Sequence, residues 1–207
     1  RIPLTAIYGY AEYIQKALLS EEERYECTQF IMSECSRLQN MAYQLLDMAL
    51  LRRDDMKDSD CSVKELFAES EKIMYMRAAE KKIRLTYDSS SNCVVRGNME
   101  RLLILTNNLI DNAIKASRQE DEVRIYAYAE ESAVVVKVED HGTGMEIEQI
   151  SHIREAFYRV DKARSRAAGG AGLGLAICER IVQIHHADMS FISEPGVGTI
   201  VKLSFPV

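Results

Sequence analysis

The sequence has no tryptophan, only three prolines and no long apolar run. Its longest apolar stretches, such as Leu102–Leu105 and Ala133–Val136, fall far short of the roughly 20 residues needed to cross a bilayer. No signal peptide is visible, and a chain that starts at Arg1 reads as a fragment. An excess of basic charge is also lacking. Against 32 Asp and Glu there are 26 Lys and Arg, a formal net charge of −6, which disfavours a surface dedicated to nucleic acid or an anionic membrane. Five cysteines (Cys27, Cys35, Cys61, Cys93 and Cys178) are odd in number and have no C-x-x-C spacing, so they read as reduced thiols in a cytosolic setting. At 47% hydrophobic and 28% charged residues the chain is ordinarily globular, long enough for one or two domains.

What is present falls into zones. Residues 1–52 have no proline after Pro3 and one glycine, Gly9. Leu4, Ile7, Ala11, Ile14 and Leu18 recur at steps of three and four, the stripe of an amphipathic helix. Ser20 and Glu23 form a capping box that opens a second helix, in which Ile31, Leu38 and Leu45 repeat every seven residues beside Cys27, Met41 and Met48. Such a hairpin cannot cover both of its apolar stripes, so pairing with a second copy into a four-helix bundle is expected. Packing of the hairpin on its own chain is the alternative. Residues 53–61 are polar and aperiodic, a linker. Ser62 and Glu65 then cap a helix running to about Lys82. Strands are expected at 83–87, 94–96, 122–129, 133–139, 189–193 and 199–205, with helices at 99–117 and 173–186. That order predicts an α+β sandwich with helices on one face, preceded by the helical hairpin; the boundary falls between domains 1–56 and 57–207.

Eight of the ten glycines lie after residue 141. Asp140-His141-Gly142-Thr143-Gly144 follows an apolar strand. A carboxylate there can accept from an exocyclic amine such as that of adenine, and the glycines let a planar ring approach the backbone. An ordinary strand-to-loop turn would look the same. Gly169 to Leu175 leads into an apolar-periodic helix, where free N–H groups and the helix dipole can seat a phosphate. It lacks the Lys-Ser/Thr pair of a P-loop and the βαβ context of a dinucleotide fold, and a plain hinge remains possible. Asn108, Asn112 and Lys115 share one helix face. An amide oxygen there can complete a Mg²⁺ shell shared with phosphates and Lys115 can neutralise them, although a solvated polar face has the same pattern.

In this order the elements resemble the ATP-binding domain of sensor histidine kinases, in the superfamily that also includes gyrase-type and MutL-type ATPases. Asn108–Lys115 resembles the asparagine box, Asp140–Gly144 the first glycine box, Phe157–Asp161 the phenylalanine box and Gly170–Leu175 the second glycine box. Gly196-Val197-Gly198-Thr199 is similar to the closing glycine turn. Gly97–Leu102 is similar to the entry to the asparagine helix, with Asn98 where the family usually has Asp. Arg1-Ile2-Pro3-Leu4-Thr5 resembles the tail of the phosphoacceptor motif. The resemblance implies ATP and Mg²⁺ as cofactors. Asn112 would ligate the metal, Asn108 and Lys115 would lie near the phosphates, and Asp140 would bind the adenine amine with Gly142 and Gly144 beside the ring. Residues from about 145 to 170 would be a mobile lid, hinged at Gly170, Gly172 and Gly174 with Leu173 among them. Phe157 and Thr199 would line the nucleotide site, and Arg159 would contact the γ-phosphate or the hairpin. The lid's Lys162, Arg164 and Arg166 fit that picture or a solvated basic loop.

The resemblance also implies a homodimer through the hairpin, a response-regulator receiver domain as partner, and a cytoplasmic location as part of a membrane-anchored sensor. Neither nucleic acid nor membrane contact is expected of this chain. Aligned on Pro3, the family's phosphoacceptor His would fall three residues before Arg1, and His141, His152, His185 and His186 cannot replace it by position. The fragment is therefore expected to bind ATP without forming phosphohistidine at the family site. Ile2 stands where members that dephosphorylate their partner often carry Thr or Asn, and Ile cannot orient a water. Ala116 stands where many relatives carry an aromatic residue or His. The favoured function is the catalytic core of an ATP-dependent protein-histidine kinase. Two alternatives were weighed: a nucleotide-binding dimeric scaffold without phosphotransfer, and an ATP-hydrolysing clamp. The clamp needs a catalytic Glu at the position of Asn108.

Overall fold

In a computed structural model the chain is described at residues 2–50, 58–90, 93–155, 158 and 172–207, with side chains omitted at 2, 44 and 47–50. Two long helices come first, α1 (Ile2–Lys16) and α2 (Glu21–Leu50). The Ser20 box forms as expected: Ser20 N–H donates to Glu23 Oε2 at 2.8 Å, and Glu23 N–H returns to Ser20 Oγ at 3.2 Å. The helices pack as a hairpin, with the rings of Tyr10 and Phe30 4.3 Å apart. Cys27 is buried between them and Ile7, Ile14, Ile31 and Leu38 are half-buried. Leu4, Leu18, Leu45 and Leu46 remain exposed, as do Tyr8, Tyr13, Tyr25 and Met32. The hairpin's own packing thus uses only part of its apolar surface.

The remainder is a sheet with helices on one face. β1 (Ser59–Ser62) pairs antiparallel with β3 (Val94–Gly97) as a separate two-stranded sheet. β1 is a correction, since part of the stretch expected to be a linker is a strand. Its residues are polar, and the pairing comes from a segment more than 30 positions away. The main sheet runs β2 (Arg84–Ser89), β4 (Glu122–Ala129), β5 (Ala133–Asp140), β7 (Gly198–Pro206), β6 (Asp188–Glu194). β2 and β4 are parallel and every other neighbouring pair is antiparallel.

The alternation expected of a half-covered sheet is visible in β4, where Val123, Ile125 and Ala127 are buried and Arg124 is exposed. Those side chains, with Val134, Val136, Val138, Leu203 and Phe205, meet α3 (Val63–Glu80), α4 (Met99–Ala116) and α6 (Gly174–Ile184) in one core. α4 is the central helix. Leu102, Leu105, Leu109, Ile110, Ala113 and Ile114 form its buried stripe, each fully buried Leu or Ile contributing about 1.5–3 kcal/mol. Its start is fixed by Asn98, whose Oδ1 accepts from Arg101 N–H at 3.1 Å. Its end is fixed by Ser117, whose hydroxyl donates to Ala113 O at 2.8 Å. With its apolar stripe spent on the core, α4 turns Asn108, Asp111, Asn112 and Lys115 to its half-buried edge.

Candidate nucleotide site

The last residue of β5 is Asp140, 7% exposed and paired across the sheet with Thr199 of β7. Its Oδ1 accepts from Gly142 N–H at 2.9 Å. Burial pushes its carboxyl up to about 6, against the opposing pull of the Gly142 and Thr199 backbone N–H groups and of His141. Among the described residues Asp140 is the one buried carboxylate, and a carboxylate has acceptor capacity beyond the bonds its own loop supplies. Thr199 is buried beside it, its hydroxyl 2.8 Å from Ser193 Oγ.

The glycines after Asp140 have a backbone reason of their own. A Cβ on Gly142 would overlap the carbonyl of Ala116 in the last turn of α4. Gly144 has φ +60, and a Cβ there would overlap the carbonyl of Glu194. Hydrogen bonds hold the same approach: Thr143 N–H to Ala116 O at 3.3 Å, Gly196 N–H to Thr143 O at 2.8 Å and Met145 N–H to Ser193 Oγ at 2.9 Å. The loop is therefore clamped between α4 and the β6–β7 turn. This brings Asp140 and Thr199 next to the polar edge of α4.

On that edge Asn108 folds back to donate from Nδ2 to Ile104 O at 2.8 Å, leaving its amide oxygen clear of that bond. Asn112 lies one turn on, half-buried. Lys115 Nζ sits 2.7 Å from Asp111 Oδ2. α6 packs on α4, with Cys178 of α6 against Leu105 O, and it begins at Gly172, Leu173 and Gly174. Gly172 has φ +76, Leu173 is buried, and among the described residues no side chain caps the first turn. Its first N–H groups are left as a seat for an anion. These contacts set Asp140, Gly142, Gly144 and Thr199 by the C-terminal turn of α4, just past Lys115, and pack α6, which Gly172, Leu173 and Gly174 open, against the helix that carries Asn108 and Asn112. Phe157, Arg159 and Gly170 lie outside the described residues, as do Lys162, Arg164 and Arg166.

The first part of the expected lid is well tied down. After α5 (Ile147–Ile150), Ile153 is buried and Arg154 donates to Met189 O, pairs with Glu179 and lies over the ring of Phe191. Sequence reasoning missed Arg154, and also Arg77, Lys81 and Asp111 around Lys115. Arg154, Arg77 and Lys81 act on partners far off in the chain that no local spacing marks, and Asp111, although four residues before Lys115, is also met by Arg77 of α3. It also missed how His185 works. The ring is buried, its Nδ1 bonds Ile181 O at 2.8 Å and its Nε2 accepts from Asn98 N–H at 3.4 Å. The ring thereby ties the end of α6 to the backbone that opens α4. A Cβ on Gly97 would overlap the same ring.

Residues 97–207, which contain all of these site elements, match the family of histidine kinase-, DNA gyrase B- and HSP90-like ATPases. The chain belongs to this ATPase family. Within it the relatives that the chain resembles are sensor histidine kinases. The chain is 30% identical over 211 aligned residues to the Staphylococcus aureus sensor protein SrrB, an alignment that takes in 100% of this chain and 36% of SrrB. The chain thus spans about a third of the length of the curated relatives it matches. Full-length ShkA, solved in complex with AMPPNP, superposes with a TM-score of 0.71 at 26% identity, covering 100% of this chain and 43% of that one. Histidine kinase ThkA, solved in complex with the response regulator protein TrrA, superposes at 0.78 and 20% identity over 99% of this chain and 57% of that one, a likeness of fold. The helical hairpin followed by an α+β sandwich is therefore an architecture that the chain shares with these solved kinases. Among the described residues no helix is long and apolar enough to cross a membrane.

Proposed function

We propose that this chain binds ATP as the core of a protein-histidine kinase in a two-component system. In that role it would phosphorylate a His of the kinase and pass the phosphoryl group to an Asp of a response-regulator receiver domain. The observation that carries the reading is the arrangement around α4: a buried carboxylate accepting at one end, an uncapped helix N-terminus at the other, and two amides and a lysine between them. Asp140 accepts from the adenine amine, with Gly142, Gly144 and Thr199 shaping the wall. The α6 N-terminus at Gly172, Leu173 and Gly174 faces phosphate, with Gly170 at its approach, and Asn108 and Lys115 lie along the same charge. Phe157 and Arg159 belong to the same proposal, at the lid. Mg²⁺ suits the Asn112 amide oxygen, a hard donor beside the phosphate row, and when bound it supplies neutralisation of phosphate charge. Phosphoryl transfer asks the protein chiefly for positioning and electrostatic stabilisation. Neutral amides, one cation and helix N–H groups supply both without a general base. An amide at Asn108 cannot activate water as a carboxylate would, which weighs against the clamp-type ATPase.

The exposed leucines and tyrosines of α1 and α2 support pairing of two hairpins into a four-helix bundle, dividing the chain near residue 56 into a dimerising part and a nucleotide part. ThkA, of the same fold, is solved with a response regulator, and a receiver domain is the partner proposed here. A cytoplasmic location follows from that partnership. The test is a calorimetric titration with Mg-ATP, adenosine and Mg-GTP. ATP and adenosine should bind and GTP, which presents an oxygen where adenine has its amine, should not. A longer version of the protein with His three positions before Arg1 should then acquire acid-labile label from γ-labelled ATP. Binding of all three ligands alike, or of none, would remove the basis of the reading.

A further inference from the structure

We propose that Asp111 is a positioning residue that presents Lys115 to phosphate, and that the end of α3 holds both in place through Arg77 and Lys81. The inference rests on the nucleotide reading of the α4 edge. Helical side chains lean back toward the N-terminus of their helix, and residues four apart meet. Asp111 Oδ2, one turn before Lys115, holds its Nζ at 2.7 Å. The ammonium is thereby drawn back along the row of Asn112 and Asn108 and away from the open end of the helix. Lysine is a flexible four-carbon stem, so fixing it beforehand removes part of the ordering cost of binding an anion.

A lone Lys–Asp pair has no net charge and would offer phosphate little. Here the carboxylate has a second cation. Arg77 Nε of α3 lies 2.6 Å from Asp111 Oδ1, off the hydrogen-bonding direction, so the contact is coulombic. Two cations and one carboxylate leave the cluster with a net charge of +1, and Asp111 can hold Lys115 without cancelling it. Four residues after Arg77, Lys81 Nζ donates to the carbonyls of Ile114 at 3.0 Å and Lys115 at 3.1 Å. One face of the α3 terminus thus fixes the backbone from which Lys115 springs, and also the carboxylate that aims it. Asp111 and Lys115 side chains are 18% and 24% exposed, sheltered enough for such pairing to survive screening.

The experiment is a double-mutant cycle in ligand affinity on the whole chain, read with Mg-ATP and with adenosine. Asp111→Ala should weaken Mg-ATP by about tenfold, the scale of one charge-assisted contact, and leave adenosine unchanged. In a Lys115→Ala background the same substitution should cost nothing further. Arg77→Gln should weaken Mg-ATP by roughly threefold and Arg77→Lys should restore it. A merely structural Asp111 would lower affinity for both ligands, or lower it equally with and without Lys115, and either result overturns the proposal. So does tighter Mg-ATP binding by Asp111→Ala, which would make the carboxylate a rival of phosphate. Should Asp111→Ala fail to fold, Arg77→Gln, on a side chain 46% exposed, decides the matter, and silence there is refutation. If the native chain binds no ATP, the nucleotide reading falls and this inference with it. If native binding is lost in Asp140→Asn yet untouched in the Asp111 and Arg77 variants, this inference alone falls.

Discussion

The two ends of the proposed nucleotide site are built differently. At the adenine end the key group, Asp140, is the last residue of a central strand, and its loop is pressed against backbone on two sides. At the phosphate end Asn108, Asn112 and Lys115 are half-exposed side chains on a helix edge, and the anion seat is a helix terminus with no side-chain cap. The first end is fixed by main-chain contacts that substitution cannot easily alter. The second depends on side-chain charge and on how far ordering is done in advance. On the proposed reading, recognition falls to the rigid part and phosphate handling to the adaptable part.

The largest effect that would break this comparison is at Asp140. Asp140→Asn keeps shape but offers an amide that can turn its donor side to adenine, so a buried charge-assisted hydrogen bond is lost. A loss of about 2–3 kcal/mol, roughly 30- to 150-fold in ATP affinity, is expected by titration calorimetry. A change of less than threefold would mean that the adenine end is not where recognition lies.

Next in size is Gly144→Ala. A residue at φ +60 whose Cβ overlaps a backbone carbonyl forces the loop off the β6–β7 turn. It should cost about 2–3 kcal/mol of stability, a fall of roughly 5–10 °C in Tm. Gly196→Ala is the control. At φ +79 with open space around it, that glycine should cost only about 1 kcal/mol, the backbone preference alone. Equal losses at the two sites would show that the loop can move and that the adenine end is not rigid.

Acidification sharpens the contrast further. Burial raises the Asp140 carboxyl from an ordinary 3.8 to about 6. In the empty protein such a group contributes stability that is fully present below 3.8 and is lost as pH rises through about 6. Nucleotide binding runs the other way, because the ionised carboxylate accepts from the adenine amine more strongly than the neutral acid does. Below pH 6 ATP affinity should fall by up to about tenfold per unit. Acid should thus favour folding at this residue while opposing binding, and Asp140→Asn should remove both dependences. Parallel titrations and thermal melts between pH 5 and 7.5 check the opposite signs. Parallel slopes would place the titrating group elsewhere.

Much of this was legible beforehand, for local reasons. The Ser20–Glu23 box, the strands 122–129 and 133–139 and the helix 99–117 follow from caps and periods along single segments, and all are found within a residue of those bounds. Glycine spacing marks both ends of the proposed site. It could not say that Gly142 makes room for Ala116 and Gly144 for Glu194, because those neighbours come from other elements. The parallel β2–β4 pair and the polar strand β1 were invisible for the same reason, since pairing supplies what composition does not. Lys115 could be read from its helix face, but Asp111 and Arg77 could not be told from ordinary surface charge until α3 was laid beside α4.

The smallest expected effect lies at the far end of α4, where Asn98 stands in place of the family's usual Asp. Its Oδ1 already caps Arg101 N–H, so the cap does not require a charge. Asn98→Ala should cost about 1 kcal/mol by denaturant unfolding, the ordinary value of a lost cap. Asn98→Asp should gain at most about 0.5 kcal/mol from the helix dipole. Neither should alter ATP affinity. Ten residues separate Asn98 from Asn108, about 15 Å along the helix, and the buried stripe between them is held by the core whatever the cap. If Asn98→Ala did weaken ATP, fraying at the first turn would be reaching the amide row. The phosphate end would then depend on the whole length of α4 rather than on the contacts around Lys115.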